Sequence, residues 1–354
     1  MFPAQLKSYI SSIELRSIVV GISLLLFLSP ILYFSALNNP SHVPRIAFLS
    51  IISTFICFIY FFSLLKNEKK IYFHKIHILV LLLLTWATVS ISWTIDYGNF
   101  AYEIIPLWAL VGLFFVASQV SSFKNIKIFL TVSIFGALYA AVIGLMQNYG
   151  LNPVGYRFDP SIMNSTFGFK NHAALYMDLI IPVSLVMAII TENKIFRWLL
   201  TIIAGILVGF TLELHTRGSW LVLVIWSLIF ICYLYIDSRG NNNILSLLKI
   251  RYKEILFILV TSGIIFGSHG IIDEKWQRPV QEGEMIDTSS SDRLRFYYNS
   301  LNVIKDKPLT GVGYGAFWKG FRKYTNKPLV IKRSNASLYV YRLHNDPLQY
   351  FVEL

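Results

Sequence analysis

The sequence predicts an all-α, polytopic membrane protein with about ten transmembrane helices and a large, mostly helical loop before the last of them. Three features carry that expectation. The chain is 55% hydrophobic and 14% charged, whereas soluble domains hold roughly 25% charged residues. Its apolar residues gather in runs of about 20, the length that crosses the hydrocarbon of a bilayer. Lysine and arginine concentrate in every second connection, the pattern of a chain oriented by cytoplasmic positive charge. Lipid offers the backbone no hydrogen bonds, so such runs satisfy themselves internally as helices.

In chain order, spans are expected near 17–37, 45–65, 76–95, 100–120, 126–148, 173–191, 196–214, 219–236 and 255–271, with a tenth beginning at about Asn345. Lys7 and Arg16 precede the first, and Lys66, Lys69, Lys70 and Lys75 follow the second. Lys124 and Lys127 follow the fourth, Lys194 and Arg197 the sixth, and Arg239, Lys249, Arg251 and Lys253 the eighth. The alternate connections are poor in such residues, as in Asp96-Tyr97-Gly98-Asn99. The N-terminus is therefore expected in the cytoplasm, and the loops near 38–44, 96–99, 149–172, 215–218 and 272–344 on the outer face. Three regions follow: a bundle of about nine spans over 1–271, an outer loop domain over 272–344, and the start of a further helix over 345–354. Met1–Arg16 lacks the short apolar core and small-residue site of a cleaved signal, so the first run is expected to stay as an anchor. Cys57 and Cys232 each sit inside an apolar run and read as small core residues, not as a metal site or disulfide framework.

A net charge of +12 would suggest nucleic acid for a soluble protein. Here much of it is orientation signal, and no nucleic-acid partner is expected. The late loop is the informative part, with thirteen Lys/Arg and seven Asp/Glu between Asp273 and Arg342. Long loops escape the positive-inside rule. Such a cationic surface suits phosphorylated lipids at the outer leaflet, or else is a solvated basic face against membrane headgroups. Within the loop, Ser291-Asp292 reads as a helix start, Leu294, Tyr297, Tyr298, Leu301 and Ile304 as its apolar stripe, and Lys307-Pro308 as its stop. Gly311-Val312-Gly313-Tyr314-Gly315 comes next. It looks only superficially like a dinucleotide pattern, since it follows a helix and not a strand, and it reads as a tight turn.

Ionisable groups at a membrane edge are costly and point to function. Glu103, Asp178 and Glu213 are all expected near the outer surface, with His215 and Arg217 just after Glu213. Arg217, in Thr216-Arg217-Gly218-Ser219-Trp220, sits on a very short turn between two spans. A guanidinium held there can bind a phosphate through two parallel hydrogen bonds; the plainer role is snorkelling or pairing with Glu213. Arg293 is a second phosphate candidate. His344 closes the basic loop, where a neutral imidazole can take a proton from a sugar hydroxyl, with Asn345 or Asp346 to orient it; otherwise it is an interfacial polar residue. Asn171 and His172 also face outward. His74 and His77 are expected in the cytoplasm, and their spacing alone is too short a signal for a metal. The sequence has no Asp-x-Asp, no phosphate-binding Gly-x-x-x-x-Gly-Lys-Ser/Thr and no His-Glu-x-x-His. A reaction without metal, nucleotide or cofactor is expected.

Three stretches resemble the O-antigen ligase family, which also includes O-antigen polymerases and protein O-oligosaccharyltransferases. They are Asn164-Ser165-Thr166-Phe167-Gly168-Phe169-Lys170-Asn171-His172-Ala173-Ala174, then Thr216-Arg217-Gly218-Ser219-Trp220, then Ser291-Asp292-Arg293-Leu294 through Lys307-Pro308-Leu309-Thr310-Gly311-Val312-Gly313 to His344-Asn345-Asp346-Pro347-Leu348-Gln349. The resemblance covers about residues 75–354. It implies a bacterial inner-membrane glycosyltransferase with its site on the periplasmic face. Its donor would be a glycan on undecaprenyl pyrophosphate and its acceptor the lipid A–core glycolipid. On that resemblance Arg217 and Arg293 would hold the pyrophosphate and His344 would be the general base, with Asn171, His172, Glu213, His215, Asn345 and Asp346 in support. Family members continue past this point with more membrane helices, whereas about ten residues follow His344; the chain is expected to be a fragment or truncated product.

Polymerisation of repeat units and transfer to a protein share this donor and chemistry, and the sequence separates them poorly. A transporter or flippase for a lipid-linked sugar is the alternative of another class. Transporters place charge near the midplane between repeated halves; no internal repeat is found here, and the ionisable groups gather at one face.

Overall fold

The computed structural model describes residues 4–37, 39–67, 71–153, 155, 165–239, 243–267, 288–324 and 346–354. Among these the chain is helical with no strand. The helices are α1 (Ala4–Leu28), α2 (His42–Asn67), α3 (Lys75–Val89), α4 (Tyr97–Gln119), α5 (Phe123–Asn148), α6 (Lys170–Ile190), α7 (Lys194–Glu213), α8 (Arg217–Arg239), α9 (Asn243–Ile250), α10 (Tyr252–Gly267), α11 (Thr288–Asp306), α12 (Phe317–Arg322) and α13 (Asp346–Glu353). Six of them, α2 to α7, are long and apolar enough to cross a bilayer, and α8 adds a shorter apolar stretch over Arg217–Tyr233. The protein is thus a multi-pass helical membrane protein. Two boundaries differ from expectation. The first apolar run, expected to span 17–37, ends as a helix at Leu28, because Pro30 disfavours helical backbone at Ser29. The third ends at Val89 in a short 3-10 turn over Ser90–Ser92.

The chain divides into two compact units, Met1–Ile52 with Val120–Asp273, and Ser53–Gln119 with Glu274–Leu354. In the first, α7 is the central helix. Leu200, Ile203, Leu207, Phe210 and Leu214 recur every three or four residues and are buried, which sets one stripe against α5 and α6. Its other face carries Gly205 and Gly209, where an added Cβ would come within 2.8 Å of Thr261 Cβ and Ile265 Cβ on α10. Between apolar helices in lipid, small residues supply the close approach that hydrophobicity cannot. Arg197 and Glu254 fix the same pair of helices at their other end, with Nε–Oε1 at 2.8 Å and both side chains buried. Arg197 Nη1 also donates to Thr191 O (3.3 Å) and Glu192 O (3.0 Å), the carbonyls left open after α6. Removing one member of such a pair leaves an uncompensated buried charge, at a cost of about 3–5 kcal/mol.

The α1–α2 connection and the first turn of α2 meet the segment that leads into α6. Arg45 Nη2 donates to Pro30 O (3.1 Å) and Thr166 O (2.9 Å), and Thr166 Oγ1 donates to Pro30 O at 2.5 Å. Residues before α2 therefore share one end of the bundle with the Ser165–His172 segment. In the second unit, α3 packs on α4, and α11 packs on α12 and α13 around Phe296, Val303, Val312, Phe317, Phe321 and Val352. The glycine segment is a tight turn as expected: Gly311, Gly313 and Gly315 all have positive φ. A side chain at Gly313 would collide with the Thr94 backbone, so glycine here serves close approach as well as backbone freedom.

Candidate functional site

The α7–α8 junction is built to be stiff. Only Leu214, His215 and Thr216 separate the two helices. His215 takes up the left-handed conformation with φ 47°, which costs a non-glycine residue about 1–2 kcal/mol. Its ring lies against Trp220 and Phe266, centroids 6.2 Å and 5.9 Å away. Trp220 and Phe266 also contact each other edge-on. The buried Glu213 carboxylate accepts from Asn148 Nδ2 at 3.2 Å, tying the ends of α5 and α7. On the other side of the turn, Ser219 Oγ donates to Asp178 Oδ2 at 2.7 Å, tying α8 to α6. Arg217, the first residue of α8, is exposed. Among the described residues, nothing lies within 4 Å of where a Cβ on the adjacent Gly218 would project. The turn thus presents a cation on a backbone anchored from both sides, which is what two-point recognition of a phosphate requires.

A second segment of the same unit leads into α6. Ser165 has φ 54°; its N–H donates to Gln147 Oε1 (2.7 Å) and its hydroxyl to Ala140 O (2.5 Å). The Arg45 guanidinium stacks on Phe167, 4.1 Å from the ring centroid. Gly168, with φ 77°, turns the chain against Ser41, and Phe169 precedes the helix. Asn171 and His172 are exposed in its first turn. Asp178 lies eight residues along α6, about 12 Å by helical rise. Because Asp178 meets Ser219, more of α6 precedes this contact than of α8: eight residues from Lys170 against two from Arg217.

In the second unit, Asp96 heads α4. Its Oδ2 accepts from Trp318 Nε1 (2.9 Å) and its Oδ1 pairs with Lys319 Nζ (2.9 Å). Burial pushes the Asp96 carboxyl up, but Lys319, the Asn99 N–H and Trp318 together outweigh burial and hold it below the usual aspartate range. Asn99 Nδ2 donates to Gly315 O, and Tyr314 N–H to Ser90 Oγ at 3.0 Å. Residues 314–319 and the α3–α4 turn are therefore on one side of this unit.

Of the expected site residues, the structure brings Glu213, His215 and Arg217 into one turn and sets Asn171 and His172 at the head of a neighbouring helix. Arg293 lies in the second turn of α11 in the other unit, and Asp346 begins α13. His344 and Asn345 lie outside the described residues. Glu103 is on α4, in the second unit. Ser219, Asn148 and Arg45 had no assigned role from sequence. An acid inside a span signals that a donor must exist, but not which one, since Asp178 and Ser219 are far apart in the chain.

Among known families, residues 202–354 match the model described as O-Antigen ligase. No curated protein and no solved structure matches the chain. The matched segment begins inside α7 and holds the Arg217 turn, Arg293 on α11 and the glycine turn after it. The part of this multi-pass helical protein from α7 onward, residues 202–354, is thus similar to the O-antigen ligase family.

Proposed function

We propose that the protein moves an O-antigen glycan from undecaprenyl pyrophosphate to the lipid A–core acceptor at the periplasmic face of the inner membrane. The observation that carries this reading is the exposed Arg217 guanidinium on a turn anchored to α5 and α6. Arg217 and Arg293 hold the pyrophosphate. His344, oriented by Asn345 or Asp346, removes the proton of the acceptor hydroxyl as that oxygen attacks the anomeric carbon. The bond from that carbon to the pyrophosphate oxygen breaks, and its electron pair leaves with the lipid pyrophosphate. A single displacement of this kind inverts the anomeric centre. Pyrophosphate leaves readily once its charge is neutralised, so fixed guanidinium groups supply the electrostatic stabilisation.

Purified protein supplied with a synthetic polyprenyl-pyrophosphate glycan and candidate acceptors, without nucleotide, tests the reading. Transfer to lipid A–core is the expected product. Transfer to a second repeat unit, or to serine or threonine of a protein, would reassign the acceptor within the family. Translocation across vesicles with no transfer would overturn the enzymatic reading.

A further inference from the structure

We propose that Asp178 is a positioning residue for Arg217. By accepting the Ser219 hydroxyl it fixes the first turn of α8, and with it the depth and direction of the guanidinium; the inference rests on the reading of Arg217 as the pyrophosphate ligand.

The contact joins two parallel neighbours, α6 and α8. Its Oγ–Oδ2 distance is 2.7 Å, with Asp178 6% and Ser219 4% exposed. Asp178 occupies the same buried face of α6 as Ala174, Met177 and Ile181, where an apolar side chain would pack without desolvating a charge. Its Oδ1 is also buried, with no hydrogen-bond partner among the described residues. A carboxylate half-satisfied in that setting is expensive, so its presence is not accounted for by stability.

This bond fastens the first turn of α8 at a start where the usual side-chain cap is not made among the described residues. Thr216 stands at the N-cap, with Trp220 N–H donating to its carbonyl at 3.2 Å. A threonine there ordinarily caps the helix with its hydroxyl. Here Thr216 Oγ1 is buried with no hydrogen-bond partner among the described residues. Gly218 contributes no side chain, and nothing among the described residues lies within 4 Å of where its Cβ would be. Ser219 is the next residue, and its hydroxyl is held from α6. A carboxylate beside the start of a helix is favoured by the helix dipole as well. The sequence thus removes the local cap and replaces it with a tertiary one, two residues from Arg217.

The test uses the full protein in the transfer assay, with donor and acceptor varied separately. Ser219→Ala deletes one hydroxyl and is the informative variant if Asp178→Ala folds poorly. Both are expected to raise the donor KM about tenfold, since small misplacements of a positioning group cost up to about a hundredfold, while leaving the acceptor KM unchanged. Asp178→Asn keeps an acceptor oxygen for Ser219 and should restore most of the donor affinity. The double variant Asp178→Ala/Ser219→Ala should be no worse than either single change, and Ser219→Ala should add nothing in an Arg217→Ala background. Additive losses, or equal shifts in donor and acceptor KM, would overturn the proposal. If Arg217→Ala weakens donor use and Ser219→Ala does not, only the positioning role is lost. If Arg217→Ala leaves donor use intact, the pyrophosphate reading itself is lost.

Discussion

In the proposed mechanism Arg217 acts through its geometry as much as its charge. A lysine keeps the charge but not the planar fork that meets two phosphate oxygens at once. Arg217→Lys is therefore expected to insert normally and to raise the donor KM about tenfold or more, as measured in the transfer assay; a lysine variant with unchanged KM would reduce Arg217 to a diffuse surface charge. Asp96 gives a pH signature in the other unit. Its carboxyl is held below the usual aspartate range by Lys319, Asn99 and Trp318 against the opposing effect of burial. Protonation is thus disfavoured when the α12 segment is docked, so the contribution is complete above the ordinary aspartate range and disappears as pH falls through the depressed value. Docking of α12, followed by proteolysis or hydrogen exchange at 317–322, should loosen in that acid window in the native protein. In Asp96→Asn it should be loose already at neutral pH and insensitive to acid. Of these residues, Arg217 was legible in the sequence because a cation on a short turn between two apolar runs has nowhere else to go. The Asp96–Lys319 pair was not, because the two residues are distant in the chain and each alone reads as an ordinary loop charge.

At the scale of elements, the membrane helices were legible wherever apolar length decided them, and blurred wherever a tertiary contact did. α4 to α7 begin and end within a few residues of the expected spans. α1 stops early because Pro30 interrupts it and because its carbonyl is claimed by Arg45 and Thr166; an apolar count runs straight through such a point. The Gly205/Gly209 face of α7 is a packing code of the same tertiary kind. Gly209→Val places two methyl groups where Ile265 already sits. Overpacking of this sort costs about 1–3 kcal/mol, and the variant should melt several degrees below wild type in detergent. A variant that melts at the wild-type temperature would mean that α7 and α10 do not pack closely.

For the whole molecule, alternating charge in the connections predicts a topology. Within each unit, loops expected on the same face lie together: Ser41 beside Gly168 in one, and Asp96 with Lys319 in the other. Single cysteines at positions 98 and 218 should accordingly react with a membrane-impermeant thiol reagent from the periplasm, and one at 193 only after the inner membrane is opened. The reverse pattern would invert the protein and remove the site from the periplasm. The central claim is that fixed arginines and one imidazole carry glycan transfer from a lipid pyrophosphate. Its most direct test is the initial rate of transfer in proteoliposomes with a chelator present, for wild type, Arg217→Ala and His344→Ala. The account predicts an undiminished wild-type rate and a fall of about a hundredfold or more in each variant, the usual scale for losing one group that stabilises developing charge. Variants that transfer at the wild-type rate, or a wild-type enzyme silenced by the chelator and revived by a divalent metal, would contradict it.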